Sequence, residues 1–221
     1  MRKFSVQIFA GSVQPLPDSG RLTGMYKTPC LGSVAFSVHG IEGDQQADLR
    51  VHGGPEKAVH LYPSQHYAAL AQQFPDIAGR LIPGALGENL AVADLDETQV
   101  RIGDLWQLGD VVLQVCQPRN PCWKIDERLR QDGVAEWIAR QQRTGWYWRV
   151  VQPGRASDRD TLGCLRTNSS HMTLRDAMVL WSAHRPDLDA LMRLSHTDGI
   201  ALQWRAKIEQ RLTYLQCHET R

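Results

Sequence analysis

Cys122 stands in the run Gln117-Pro118-Arg119-Asn120-Pro121-Cys122-Trp123-Lys124, behind a proline and between two cations. A thiol acts as a nucleophile or metal ligand only as the thiolate, and nearby positive charge favours that form. Pro118 and Pro121 fix their own φ angles and push the residues before them toward extended backbone. The segment reads as a stiff loop that presents Cys122 next to Arg119 and Lys124, a place for an anionic cofactor.

Four other segments carry polar chemistry. In Val51-His52-Gly53-Gly54-Pro55-Glu56-Lys57-Ala58-Val59-His60, the paired glycines let the backbone approach a ligand, and successive amides can cradle an anion. His52 reads either as a site group or as a hydrogen-bonded structural residue, and His60, inside an apolar run, as a structural one. Ser64 follows Tyr62-Pro63 at an expected helix start, where unpaired N–H groups can hold a phosphate; the plain alternative is an exposed first turn. Asn89, in Gly84-Ala85-Leu86-Gly87-Glu88-Asn89-Leu90, offers a donor and an acceptor to a heterocycle edge. Gly40 to Asp48 is a polar turn whose acids can cap nearby amides. Arg50 and Arg149 either add cationic charge or are solvated. Trp137, Trp146, Trp148 and Trp204 lie in patterned segments and read as core. Trp123, beside Cys122, can wall a substrate pocket.

The elements that must position these residues are mostly strands. Phe4, Val6, Ile8 and Ala10 alternate with more polar neighbours, as do Val34, Phe36 and Val38. Short apolar runs follow at 59–62, 90–92, 100–102, 105–108, 111–116 and 146–151, separated by Gly, Asp and Pro. This spacing predicts a barrel or sandwich. Helices are predicted over 63–74 and 126–140. After about Leu165 the pattern turns helical. Thr173 and Asp176 form a near capping box, Pro186 opens a second helix, and 200–215 makes a third. The expectation is a mainly β (α+β) chain, with a β domain over 1–165 and a three-helix appendage over 166–221.

Composition excludes several classes. A formal net charge of +1 in 221 residues argues against a dedicated nucleic-acid or membrane-surface binder. No apolar run approaches the ~18 residues of a membrane span. Five cysteines without framework spacing point to a reducing cytoplasm, and the absence of a CxxC pair argues against structural zinc.

Taken in order, Gly43-Asp44-Gln45-Gln46-Ala47, His52-Gly53-Gly54-Pro55, Tyr62-Pro63, Gly87-Glu88-Asn89-Leu90 and the Cys122 loop resemble the MOSC domain family, and within it the bacterial YiiM-type branch. The name refers to the C-terminal domain of molybdenum cofactor sulfurase. The resemblance implies a barrel-like MOSC domain that binds molybdenum cofactor (molybdopterin), with Cys122 as the metal ligand. It implies that Asn89, Arg119 and Lys124 line the cofactor site, that Ser64 meets its phosphate, and that His52 lies near the metal. It further implies reduction of small N-hydroxylated compounds, including 6-N-hydroxylaminopurine-type base analogues, as a detoxification. One turn departs from the family: Arg159-Asp160 stands where Gly-Asp is frequent.

The residues fit that chemistry on their own terms. Thiolate is a soft ligand for a thiophilic metal. No GxGxxG fingerprint is present, so electrons are expected from a separate, flavin-type reductase. Two other readings use the same thiol. Cys122 can carry a persulfide for metal–sulfur assembly, or act as a nucleophile with His52 or His60 as base. The helical tail can serve as a homodimer surface or as a cap over the barrel.

Overall fold

The computed structural model describes residues 2–49, 53–169 and 172–218. Among them the strands are β1 (Lys3–Ala10), β2 (Gln14–Pro15), β3 (Leu22–Thr23), β4 (Thr28–Pro29), β5 (Ser33–Ser37), β6 (Gly40–Ile41), β7 (Val59–Pro63), β8 (Leu90–Val92), β9 (Leu105–Leu108), β10 (Val111–Pro118), β11 (Trp146–Gln152), β12 (Gly154–Ser157) and β13 (Thr161–Arg166). The α-helices are α1 (His66–Gln73), α2 (Lys124–Leu129), α3 (Val134–Arg140), α4 (Leu174–Ser182), α5 (Leu188–Ser195) and α6 (Leu202–His218). No helix among the described residues is long and apolar enough to cross a membrane.

Seven strands close into a barrel in the order β1-β13-β9-β10-β11-β7-β8, with β8 returning to β1. Every pairing is antiparallel except β7 with β8. Closure removes the sheet edges that would otherwise expose unpaired backbone groups. The alternation read in β1 has its cause here: Phe4, Val6 and Ile8 point into the core, while Lys3, Ser5 and Gln7 face out; at the end of the strand Phe9 is buried as well. Trp146 and Trp148 of β11 are wholly enclosed and meet edge-on, with ring centroids 5.8 Å apart. Such aromatic pairs fill volume and prefer this tilted geometry.

The tail packs on this barrel. Leu174, Ala177, Leu191, Leu194, Trp204 and Ile208 belong to the same buried cluster as the barrel side chains. Thr173 caps α4 by accepting the Asp176 N–H at 3.2 Å, and Asp187 caps α5 by accepting that of Ala190 at 2.9 Å. Satisfied first-turn amides of this kind are each worth about 1 kcal/mol. The start of α6 is held from the barrel side, where the Glu56 carboxylate accepts the Leu202 N–H at 2.9 Å.

Three expected elements differ. The helix expected over 126–140 is two helices. Arg130 adopts a left-handed φ of 46° and ends α2, and the Asp126 carboxylate accepts the N–H groups of Gly133 (3.0 Å) and Ala135 (2.7 Å) to start α3. The run 100–102 is a buried turn, its Arg101 N–H taken by Asp104 at 2.8 Å. The helix expected from Pro63 begins at His66, because Pro63 is the last residue of β7.

Gly145 shows how tightly β7 meets β11. Its φ is +65°, and a Cβ there would lie 2.1 Å from the Leu61 carbonyl oxygen. Gly145→Ala should lower the unfolding free energy by about 2–3 kcal/mol, read as a shift of the urea midpoint. A midpoint equal to that of the parent would contradict this packing.

Candidate functional site

The Cys122 loop leaves the end of β10 and turns over the barrel mouth, where a chamber lies between it, the 23–27 segment and the 44–47 turn. Gly87, with φ +77°, lets the 86–89 segment pass Met25: a Cβ there would lie 2.9 Å from the Met25 Cα.

Asp44 organises one wall. Its carboxylate accepts from the Gly11 N–H (3.0 Å) and the Asn89 amide (2.9 Å) and pairs with the buried Lys27 ammonium. Burial pulls the Lys27 pKa down, and Asp44 opposes the shift. The Asn89 amide also donates to the Phe9 carbonyl (3.2 Å), and its oxygen accepts the His60 N–H (3.1 Å). Asn89 therefore lines the chamber with both ends of its amide committed to the protein. It sets the positions of Asp44 and β7, in contrast to the heterocycle-reading role expected from sequence.

Arg119 is only 7% exposed. Its backbone N–H donates to the Gly145 carbonyl at 3.1 Å, and Nη2 donates to the Leu86 carbonyl at 3.1 Å. Nη1 is equally buried and has no protein partner. His60 is similar: its Nε2 is buried and unpartnered on the same chamber. Burial, reinforced by Arg119 and then Lys27, holds the His60 pKa well below 6.5, so the ring is neutral. Its ring centroid lies 5.3 Å from that of Tyr147, whose hydroxyl is kept protonated chiefly by burial. Unpaired buried donors are rare because each costs about 1–3 kcal/mol, and more when charged.

Cys122 is half-buried and not disulfide-bonded. Lys124, the first residue of α2, reaches the chamber and donates to the Leu22 carbonyl at 2.8 Å. Lys57 enters from the opposite side and donates to Gln203 at 3.3 Å. The structure thus brings together Cys122, Asn89, Arg119 and Lys124. It places Ser64 apart, just past β7, with its N–H on the Val92 carbonyl at 2.9 Å and its side chain off the chamber lining. His52 and Arg50 lie outside the described residues. Cys116 is core: it is enclosed, its thiol donates to the Glu56 carbonyl at 2.9 Å, and burial pushes its pKa up to about 12.

Sequence reasoning missed Lys27, Tyr147 and the chamber position of His60. All five residues of β7 are buried, so alternation marks no face that would single out His60. Lys27 and Tyr147 stand in no motif.

No cluster of three or more His, Cys, Asp or Glu residues among the described ones could hold a metal. A metal at this site would arrive with its own ligands and take one donor, a thiol, from the protein. The donor set fits such a group: one accessible soft ligand, several cations, and a guanidinium nitrogen with no protein acceptor.

The sequence profile of the MOSC domain matches residues 48–162. The chain belongs to the MOSC domain family. Protein YiiM of Escherichia coli (strain K12) is 31% identical over 210 residues, spanning 95% of this chain and 92% of the relative. The crystal structure of YiiM from Escherichia coli superposes with a TM-score of 0.81 at 27% identity, covering 97% of this chain and 94% of that one. A protein named "Reductase" from Gibberella moniliformis (strain M3125 / FGSC 7600) is 35% identical over 162 residues, 72% of this chain and 29% of its own length. Membership carries a molybdenum-cofactor-associated function.

Alkylation should separate the two neighbouring cysteines. Iodoacetamide at pH 8 should modify Cys122 in the native protein and spare Cys116 until the protein is unfolded. Peptide mass mapping showing Cys116 labelled as fast as the exposed Cys217 would contradict the burial described here.

Proposed function

We propose that this chain is a molybdenum-cofactor-dependent reductase that strips oxygen from N-hydroxylated compounds, such as hydroxylaminopurine-type base analogues. The observation that carries the reading is the unpartnered Nη1 of buried Arg119 on the same chamber as the Cys122 thiol. Cys122 would ligate the metal. Arg119, Lys27, Lys57 and Lys124 would hold the anionic parts of the cofactor, and Asn89 would keep Asp44 and β7 in place. His52 stays a proposed neighbour of the metal on family resemblance alone, as Ser64 does for the phosphate.

When bound, the cofactor supplies two-electron oxygen-atom transfer. The net reaction takes an N-hydroxy compound, two electrons and two protons to the amine and water. The protein contributes position and charge. His60 is held neutral and offers Nε2 as a hydrogen-bonding atom, while Tyr147 keeps its phenolic proton. The cations offset negative charge beside buried groups, where such pairing is stronger than in solution. Electrons would come from a separate flavin-type reductase, in a reducing cytoplasm.

The sulfur-carrier alternative uses the same thiol but has no use for so many inward-facing cations. The test is purification from a cofactor-competent host, metal and pterin analysis, and reduction of an N-hydroxylated purine by an artificial electron donor. The expected result is about one molybdenum per chain. Loss of outer partners alone costs ~10–100-fold at metal sites, so Cys122→Ser should lose at least about 100-fold in activity. Full activity in that variant would refute the ligand assignment. A labile extra sulfur on Cys122 with no pterin would favour sulfur transfer.

A further inference from the structure

Cys122 has two sides. The cationic chamber is tight, about 80 Å³ in volume. On the other side Cys122, Arg119, Lys57 and Tyr147 also border a cavity of about 480 Å³. Small-molecule sites fall at roughly 300–1,000 Å³, and the second cavity lies in that range.

The walls of this second cavity differ in chemistry and in origin. The Cys122 loop and the barrel supply most of the lining, and one wall comes from the C-terminal helices, which lie beyond the MOSC match ending at residue 162. Met178 and Trp181 of α4 and Trp204 of α6 supply apolar and aromatic surface, and Gln142 and Gln203 supply amides. These walls are braced. The Arg211 guanidinium carbon lies 5.2 Å from the centroid of Trp181, and Arg211 also donates to the Ala183 carbonyl. The Met178 sulfur accepts the Thr144 hydroxyl at 3.2 Å. The tail is also latched to the cofactor side, through Gln203 on Lys57 and through Glu56 on the Leu202 N–H. An aromatic surface fixed from behind loses little freedom when a ring stacks on it.

We infer that the C-terminal helices form the substrate-selecting wall of the site. Trp181 stacks the planar ring of a heteroaromatic N-hydroxylated substrate, Met178 backs it, and Gln142 and Gln203 meet its polar edge. The N–OH group is then directed toward Cys122. Amide side chains match the mixed donors and acceptors of a nitrogen heterocycle, which a purely apolar pocket would leave unpaired. The inference rests on the reading of Cys122 as the metal ligand.

The test uses cofactor-loaded protein, with Trp181→Ala and Trp181→Phe beside the parent. Adenine serves as a non-reducible ring and is titrated by calorimetry. An N-hydroxylated purine and hydroxylamine, which lacks a ring, are compared as substrates. Base stacking on an aromatic side chain is worth about tenfold or more in affinity. Trp181→Ala should weaken adenine binding by that factor. It should lower the preference for the purine over hydroxylamine in kcat/KM to a similar extent, with molybdenum and pterin content as in the parent. Trp181→Phe should recover most of both. Three outcomes overturn the inference: equal losses on both substrates, unchanged adenine binding, or loss of pterin from Trp181→Ala, which would give the wall to the cofactor. If the loaded parent reduces neither substrate while adenine binding still depends on Trp181, the proposed reduction fails and the ring-binding wall stands.

Discussion

A guanidinium held out of water with one nitrogen unpaired is the constraint around which this fold is built. A guanidinium keeps its charge in proteins. Burying that of Arg119 is costly unless acceptors surround it, and the protein provides only some of them: the Leu86 carbonyl for Nη2 and none for Nη1. Its field reaches the whole chamber, helping to hold His60 neutral and opposing the upward shifts of the Tyr147 and Glu88 pKa values. A structure that keeps such an atom bare over a half-buried thiol is pre-organised for an anionic ligand.

The surrounding architecture makes that arrangement tolerable. Glu88 is fully buried, yet accepts from the Tyr67 hydroxyl (2.7 Å), the Gly84 N–H (2.6 Å) and the Leu86 N–H (3.1 Å). The Leu86 residue therefore gives its N–H to a carboxylate and its carbonyl to Arg119, linking the two charges through backbone. Glu97 does a related task from the other side. It accepts the Gly145 N–H at 2.7 Å, while the Gly145 carbonyl takes the Arg119 N–H. Leu86 lies in the turn before β8 and Gly145 directly before β11, so the buried Glu88 and Glu97 carboxylates, which hold their N–H groups, fix the two residues whose carbonyls meet Arg119. The tail then closes the far side of Cys122, leaving two compartments that share Cys122, Arg119, Lys57 and Tyr147.

Much of this was legible in the sequence because it rests on local rules. Alternation in β1, the Thr173 cap and the helical spacing of the tail each have short-range causes, and each element is present. The Cys122 loop was legible for the same reason, since prolines and flanking cations act on their immediate neighbours. What escaped was set by pairings distant in sequence. The use of the Asn89 amide against Asp44 and Phe9 spans 45 and 80 residues. The arrival of His60 beside Arg119 depends on β7 pairing with β11. The split of the 126–140 helix turned on Asp126 capping a turn it was expected to lie within. The separation of Ser64 from the chamber followed from one strand running through Pro63.

The central claim is that Cys122 binds the metal of a cofactor whose anionic groups complete the partnership of Arg119. Anomalous diffraction at the molybdenum edge, from crystals of cofactor-loaded protein, tests it most directly. The account predicts a single strong peak at bonding distance from the Cys122 sulfur, with an anionic group of the cofactor on Nη1 of Arg119. A peak remote from Cys122, or a loaded protein whose Arg119 still lacks a partner, would contradict it.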